Sequence, residues 1–82
     1  MQETEIGKVL HFFDKLSVAA IRLSGELKVG DKVRIEAEMP FVQVIDSMQA
    51  DRKEIKHAKE GDDIGIRTIK PCRDNDRIVR IS

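Results

Sequence analysis

Tryptophan and tyrosine are absent from this 82-residue chain, and phenylalanine occurs only at positions 12, 13 and 41. Recognition of single-stranded nucleic acid by stacking on aromatic platforms is therefore poorly served. The only cysteine is Cys72, which excludes an internal disulfide and fits a reducing compartment. Fifteen basic residues balance fifteen acidic ones, so no global field steers the chain toward nucleic acid or membrane. No apolar run approaches the ~18 residues of a membrane span. The start, Met1-Gln2-Glu3-Thr4-Glu5, is polar and acidic, unlike a secretory signal, and a cytoplasmic setting is expected. Gly7-Lys8 is followed by Val9 within a strand pattern, so no phosphate-cradling loop, and no nucleotide site, is expected. Two separated histidines and one cysteine give no metal-ligand spacing, and Cys72 with His11 or His57 carries no nucleophile signature. Glu60, Asp62 and Asp63 lack the alternating oxygens of a calcium loop and read as turn residues. No cofactor, metal or catalytic residue is assigned, and the chain is expected not to be an enzyme.

The length supports one domain, residues 1–82, with a small core. Its clearest signal is Val29-Gly30-Asp31 leading into a strand, Lys32 to Glu38. Val33, Ile35 and Ala37 take one face of that strand, and Lys32, Arg34 and Glu36 the other. The device recurs where Glu60-Gly61-Asp62-Asp63 leads into Ile64-Gly65-Ile66-Arg67. Ile6 to Phe13 reads as a first strand, apolar on both faces, and Ser17 to Leu23 as a second, with Ala19, Ile21 and Leu23 inward. Leu27 to Val29 is expected to plug one end as a short loop. Phe41 to Gln49 is a fourth strand, Ile64 to Ile69 another, and Arg77 to Ile81 the last. Ala50 to Lys59 fits either an amphipathic helical turn or a connector with a short strand near Glu54 to His57, the second being favoured. About seven short strands separated by turns predict an all-β barrel or sandwich.

Three stretches then align in order: Gly25-Glu26-Leu27-Lys28-Val29-Gly30-Asp31-Lys32-Val33, Ser47-Met48, and Ala58-Lys59-Glu60-Gly61-Asp62-Asp63-Ile64-Gly65-Ile66. In these the chain resembles domain 2 of translational GTPases such as elongation factor Tu, and most closely the stand-alone translation elongation factor-like proteins. A similar barrel ends the collagenase-like peptidases. The resemblance implies a small closed Greek-key β-barrel of six to seven strands. It also implies a non-catalytic binding module that docks on RNA (tRNA), the ribosome or a translation-related protein. The alternative is a protein–protein interaction module akin to the C-terminal barrel of collagenase-like peptidases. Where that family carries an Arg-Gly turn, this chain has Asp14-Lys15-Leu16-Ser17, so no aminoacyl-tRNA contact is transferred.

Two candidate sites follow from the residues. Arg67, Lys70, Arg73, Arg77 and Arg80 fall close together and would form either a phosphate-binding strip or a solvated face of ion pairs. Val9, Phe12 and Phe13 form the candidate protein interface. Adjacent strand residues face opposite ways, so one phenylalanine is left either covered within the domain or exposed to a partner.

Overall fold

Three copies of one corner set the course of the chain in the computed structural model, which describes residues 3–81. Each copy begins on a buried residue, Leu27, Ala58 or Cys72, followed by Lys28, Lys59 or Arg73. Two positions later the backbone turns left-handed, at Gly30 (φ 99°), Gly61 (φ 91°) and Asn75 (φ 73°). That conformation at the third position is the mark of a type II turn, and glycine and asparagine adopt it most readily. Asp31, Asp62 and Asp76 close the turns. Their N–H groups donate to the carbonyls of Lys28, Lys59 and Arg73 at 3.1, 3.0 and 3.2 Å. Their carboxylates accept from the N–H of the same three residues at 3.0, 3.0 and 2.7 Å. Two residues further on, Val33, Ile64 and Ile78 return the chain to the core.

Each corner also clasps one buried residue from a distant part of the chain. Gly30 N–H donates to Ile45 O and Ile45 N–H to Asp31 O, both at 2.8 Å. Gly61 and Asp62 hold Leu23 in the same way at 2.8 and 2.9 Å, and Asn75 and Asp76 hold Val9 at 2.7 and 2.8 Å. The apolar residues of the three corners and the three they clasp make up more than half of the buried apolar core.

Strands occupy the stretches between and around the corners. They are β1 (Glu3–Phe13), β2 (Val18–Leu23), β3 (Leu27–Lys28), β4 (Lys32–Ile35) and β5 (Phe41–Val44), then β6 (Met48–Ala50), β7 (Lys53–Ile55), β8 (His57–Ala58), β9 (Asp63–Arg67) and β10 (Arg77–Ile81). Eight of them form one curled antiparallel sheet in the order β5-β4-β10-β1-β2-β9-β6-β7, and β3 pairs with β8 in a separate ribbon. Two irregularities in β1 decide which of its side chains enter the core. Ile6 is the extra residue against β10, and Leu10 the extra residue against β2. A bulge shifts side-chain parity by one, so Ile6, Val9 and Phe12 all face inward although simple alternation forbids it. Phe13 is left outside, 45% exposed.

The all-β expectation holds, while a closed barrel of six or seven strands does not. The main sheet has eight strands, and its edge strands β5 and β7 do not pair with each other. The expected fourth strand is split into β5 and β6, with Val42 and Val44 exposed. The Leu27 plug is a short strand with its leucine fully buried. Residues 50–59 hold no helix: β6 and β7 form a hairpin turning at Asp51 and Arg52, both left-handed at φ 52° and 65°. Two left-handed central residues give the type I′ turn that suits a two-residue hairpin.

A side chain, not a backbone ladder, bridges the gap beside β5. Gln43 points inward and is 7% exposed. Its Nε2 donates to Arg67 O at 2.8 Å, and its Oε1 accepts from Ile69 N–H at 2.9 Å. The amide thus supplies the donor and acceptor that a paired strand residue would supply. Between those two contacts Thr68 is buried, its N–H donating to Ser17 O at 2.9 Å, while its Oγ1 has no partner.

A Cβ added at Gly30 or Gly61 meets nothing within 4 Å, so substitution there tests the backbone alone. Gly30→Ala and Gly61→Ala should each cost about 1–2 kcal/mol, and Gly30→Asn distinctly less, as Asn75 does this task in the third corner. In a domain of this size about 1 kcal/mol moves the melting temperature by roughly 4–8 °C. Thermal unfolding followed by circular dichroism measures it, and an alanine variant that melts with the parent would refute the corner argument. At the seam, Gln43→Leu should cost about 1–3 kcal/mol by stranding a buried carbonyl and N–H. Thr68→Val, which removes the unpartnered hydroxyl at constant shape, should be neutral or stabilising in the same measurement.

Candidate interaction site

The basic residues of the last third do not converge. β10 pairs with β4 without interruption from Ile78 to Arg80, so Arg77 and Arg80, three apart, leave the sheet on opposite faces. Arg80 donates to Glu26 O at 2.6 Å, beside Leu27 and His57 at one end of the sheet. Arg77 lies 3.8 Å from Glu5, near Arg34 and Glu36. Arg73 pairs with Glu38 at 2.9 Å, and Lys70 lies in the same hollow. Arg67 borders a different hollow, with Leu16 and Val18. The five are spread over four separate hollows and not along one strip, and Arg73 and Arg77 stand in ion pairs, as in the other of the two readings.

The strongest charge pairs lie on the outside of the sheet. Arg22 meets Asp63 across β2 and β9 in a two-pronged contact at 2.9 and 3.1 Å, which holds the Asp63 carboxyl below its usual range. Arg34 does the same for Glu3 at 2.7 and 3.1 Å, and also bonds Glu36. The hydrogen bond and charge of Arg34 lower the Glu3 pKa, and the two carboxylates raise that of Arg34. These pairs are exposed or, at Arg34 and Glu36, half-buried, and lie on the sheet surface without forming a site.

The first-strand interface is corrected in part. Val9 is 1% exposed and clasped by the third corner, so it cannot meet a partner. Phe12 packs against the core. Phe13 alone stays outside, its ring edge-on to His11 with centroids 4.6 Å apart.

A larger number of exposed apolar residues lies on and beside the edge strand β5, and they were not singled out by sequence. Val42 (43% exposed) and Val44 (55%) flank the inward Gln43 on edge strand β5. Ile69 (67%) is tied to Gln43 by its backbone, and Met39 (81%) precedes the strand. At the Phe41 end of β5, Ala37, Met39, Pro71 and Cys72 line a hollow of about 270 Å³, with Lys70, Arg73 and Glu38 at its polar side. The uncharged run Phe41-Val42-Gln43-Val44 was the available signal, since an edge strand with charged residues would have been protected.

Each histidine has a surface carboxylate beside it: His11 Nδ1 lies 3.8 Å from Asp74 and His57 Nε2 3.7 Å from Glu26. Among the described residues no group of three or more histidine, cysteine or acidic side chains is placed to hold a metal. No helix of the described residues is long and apolar enough to cross a membrane. Burial pushes the Cys72 thiol up to about 11, assisted by Asp76 and Asp74. Because the thiol is easier to keep protonated in the folded chain, its contribution to stability is present below the unfolded value near 9 and is lost as pH rises through 11. Iodoacetamide should therefore alkylate the folded protein at pH 8 at least a hundredfold more slowly than the urea-unfolded chain. Mass spectrometry over time measures both rates, and equal rates would show an accessible, ordinary thiol.

No protein-family model matches the chain. It is similar to an uncharacterized protease of Methanocaldococcus jannaschii, 35% identical over 79 residues that cover 94% of this chain and 19% of the protease. A collagenase of Porphyromonas gingivalis is 28% identical over 82 residues, 96% of this chain and 23% of the collagenase. The chain thus spans about a fifth of the length of these relatives. Among solved structures, the C-terminal domain of a candidate U32 peptidase from Geobacillus thermoleovorans superposes with a TM-score of 0.89, over 95% of this chain and 92% of that one, at 17% identity. Its selenomethionine variant gives 0.85 over 95% and 99%, at 21% identity. These likenesses overturn the resemblance to translation-factor domain 2, and with it docking on tRNA, the ribosome or a translation-related protein. The Gly-Asp motifs behind that resemblance are corner chemistry, and a fold-building motif does not fix a function. The chain is similar, almost end to end, to one part of collagenase-like peptidases.

Proposed function

We propose that this domain is a non-catalytic protein-binding module that works alongside the catalytic region of a collagenase-like peptidase. The observation that carries this reading is the 35% identity that runs through 94% of the chain yet falls within a fifth of a much longer protease. A domain-sized match of that kind suits an accessory unit. The chemistry supports it: the thiol is buried and hard to ionise, and each imidazole sits by a carboxylate on the surface. Physically, such a module raises the local concentration of substrate or partner at the catalytic region and supplies no bond-breaking group of its own. A cytoplasmic setting belongs to the same reading, supported by a single cysteine without a disulfide partner.

Two measurements test the proposal. The purified domain should leave fluorogenic gelatin intact over a period in which a collagenase-like peptidase consumes it. In sedimentation velocity it should form a complex with the catalytic region of such a peptidase or with gelatin at tens of micromolar. Hydrolysis that follows the domain through purification, or absence of both complexes, would overturn the reading.

A further inference from the structure

The curled sheet has two edges, and they are built differently. The β7 edge carries exposed Lys53 and Glu54 next to the turn at Asp51 and Arg52. Charges of this kind discourage pairing with another strand. The β5 edge has none: it reads Phe41-Val42-Gln43-Val44, with both valines exposed.

Hydrogen-bond alternation fixes which backbone groups that edge presents. Ile45 exchanges bonds with the Gly30–Asp31 corner, so the next residues turned toward β4 are Gln43 and Phe41, paired with Val33 and Ile35. In an antiparallel ladder the intervening residues point the other way. The N–H and C=O of Val42 and Val44 therefore face away from β4, and among the described residues no backbone bond meets them there. The hollow lined by Ala37, Met39, Pro71 and Cys72 lies at the Phe41 end of the same edge. Of the two cations beside it, Arg73 is engaged by Glu38, while Lys70 has no acidic partner among the described residues.

We propose that the β5 edge binds an extended peptide segment, antiparallel to β5, that places an apolar side chain in the hollow and a carboxylate beside Lys70. The antiparallel direction carries the C-terminal part of the peptide toward Phe41, so the sequence recognised is a β-forming stretch followed by an apolar residue and an acidic one. Backbone pairing supplies attachment and the hollow supplies selectivity, as in strand-addition recognition generally. The proposal rests on the reading of the domain as a protein-binding module and names the surface and ligand chemistry for it.

The probe is a capped decapeptide of alternating threonine and valine that closes on leucine and aspartate, titrated into the nitrogen-15-labelled domain. The expected result is saturable shifts of the Val42 and Val44 amides and of residues 69 and 70. Lys70→Glu and Val44→Lys should each weaken binding at least tenfold while the unperturbed resonances show an intact fold. N-methylation at the peptide positions facing β5 should abolish binding, and at the alternate positions should leave it. Absence of localised shifts at millimolar peptide, or indifference to N-methylation, would overturn the proposal. A dimer of the domain that Val44→Lys dissolves would assign the edge to a second copy, and overturn it equally. A peptidase or gelatin complex that survives Val44→Lys would overturn the edge assignment alone and leave the binding module standing.

Discussion

The rest of the structure depends on the paired backbone bonds by which each left-handed corner grips a residue far away in sequence. A small core leaves little apolar burial per residue, so the path of the chain must be fixed by directional contacts as well. Each corner does this with the same parts: a carboxylate that closes its own turn, and two backbone bonds to Ile45, Leu23 or Val9. The residues gripped are buried, so these bonds are shielded from water and cannot easily be exchanged for it. The third corner joins residues 73–76 to Val9, and so holds the end of the chain against its first strand. This is why β1 lies inside the sheet, between β2 and β10, and not at an edge.

Much of this was legible wherever a local rule acts alone. The alternation of Val33 and Ile35, or of Ala19, Ile21 and Leu23, gave the correct inward face, and the two glycine corners were visible as turns. The third corner is harder to see in the sequence because asparagine stands where the others have glycine, though it follows the same seven-residue scheme. The inward set of β1 was illegible, since bulges at Ile6 and Leu10 shift the parity twice within one strand. The two-residue strands β3 and β8 are too short to show any period.

The residues of the candidate sites part company for related reasons. Five basic residues within fourteen positions looked like one strip, but strand geometry sends neighbours to opposite faces and intervening loops carry the others away. Val9 looked available because it sits beside two phenylalanines, whereas the corner that buries it lies more than sixty residues later in the chain. The exposed group of Met39, Val42, Val44 and Ile69 comes from two stretches that the Gln43 bridge and the Glu38–Arg73 pair bring together. A buried glutamine amide has no periodic signature, so neither the seam nor the surface around it could be read in advance.

That bridge also explains how an open edge coexists with a buried core. Were β5 joined to residues 67–69 by backbone bonds, Val42 and Val44 would be paired and the sheet would close into a barrel with no edge to offer. Gln43 instead satisfies Arg67 O and Ile69 N–H from within, using side-chain atoms, and leaves the outward backbone of its neighbours uncommitted. Closing the core and pairing the edge are thereby separated. The departure from a closed barrel and the surface most suited to a partner strand are two consequences of one inward-facing amide.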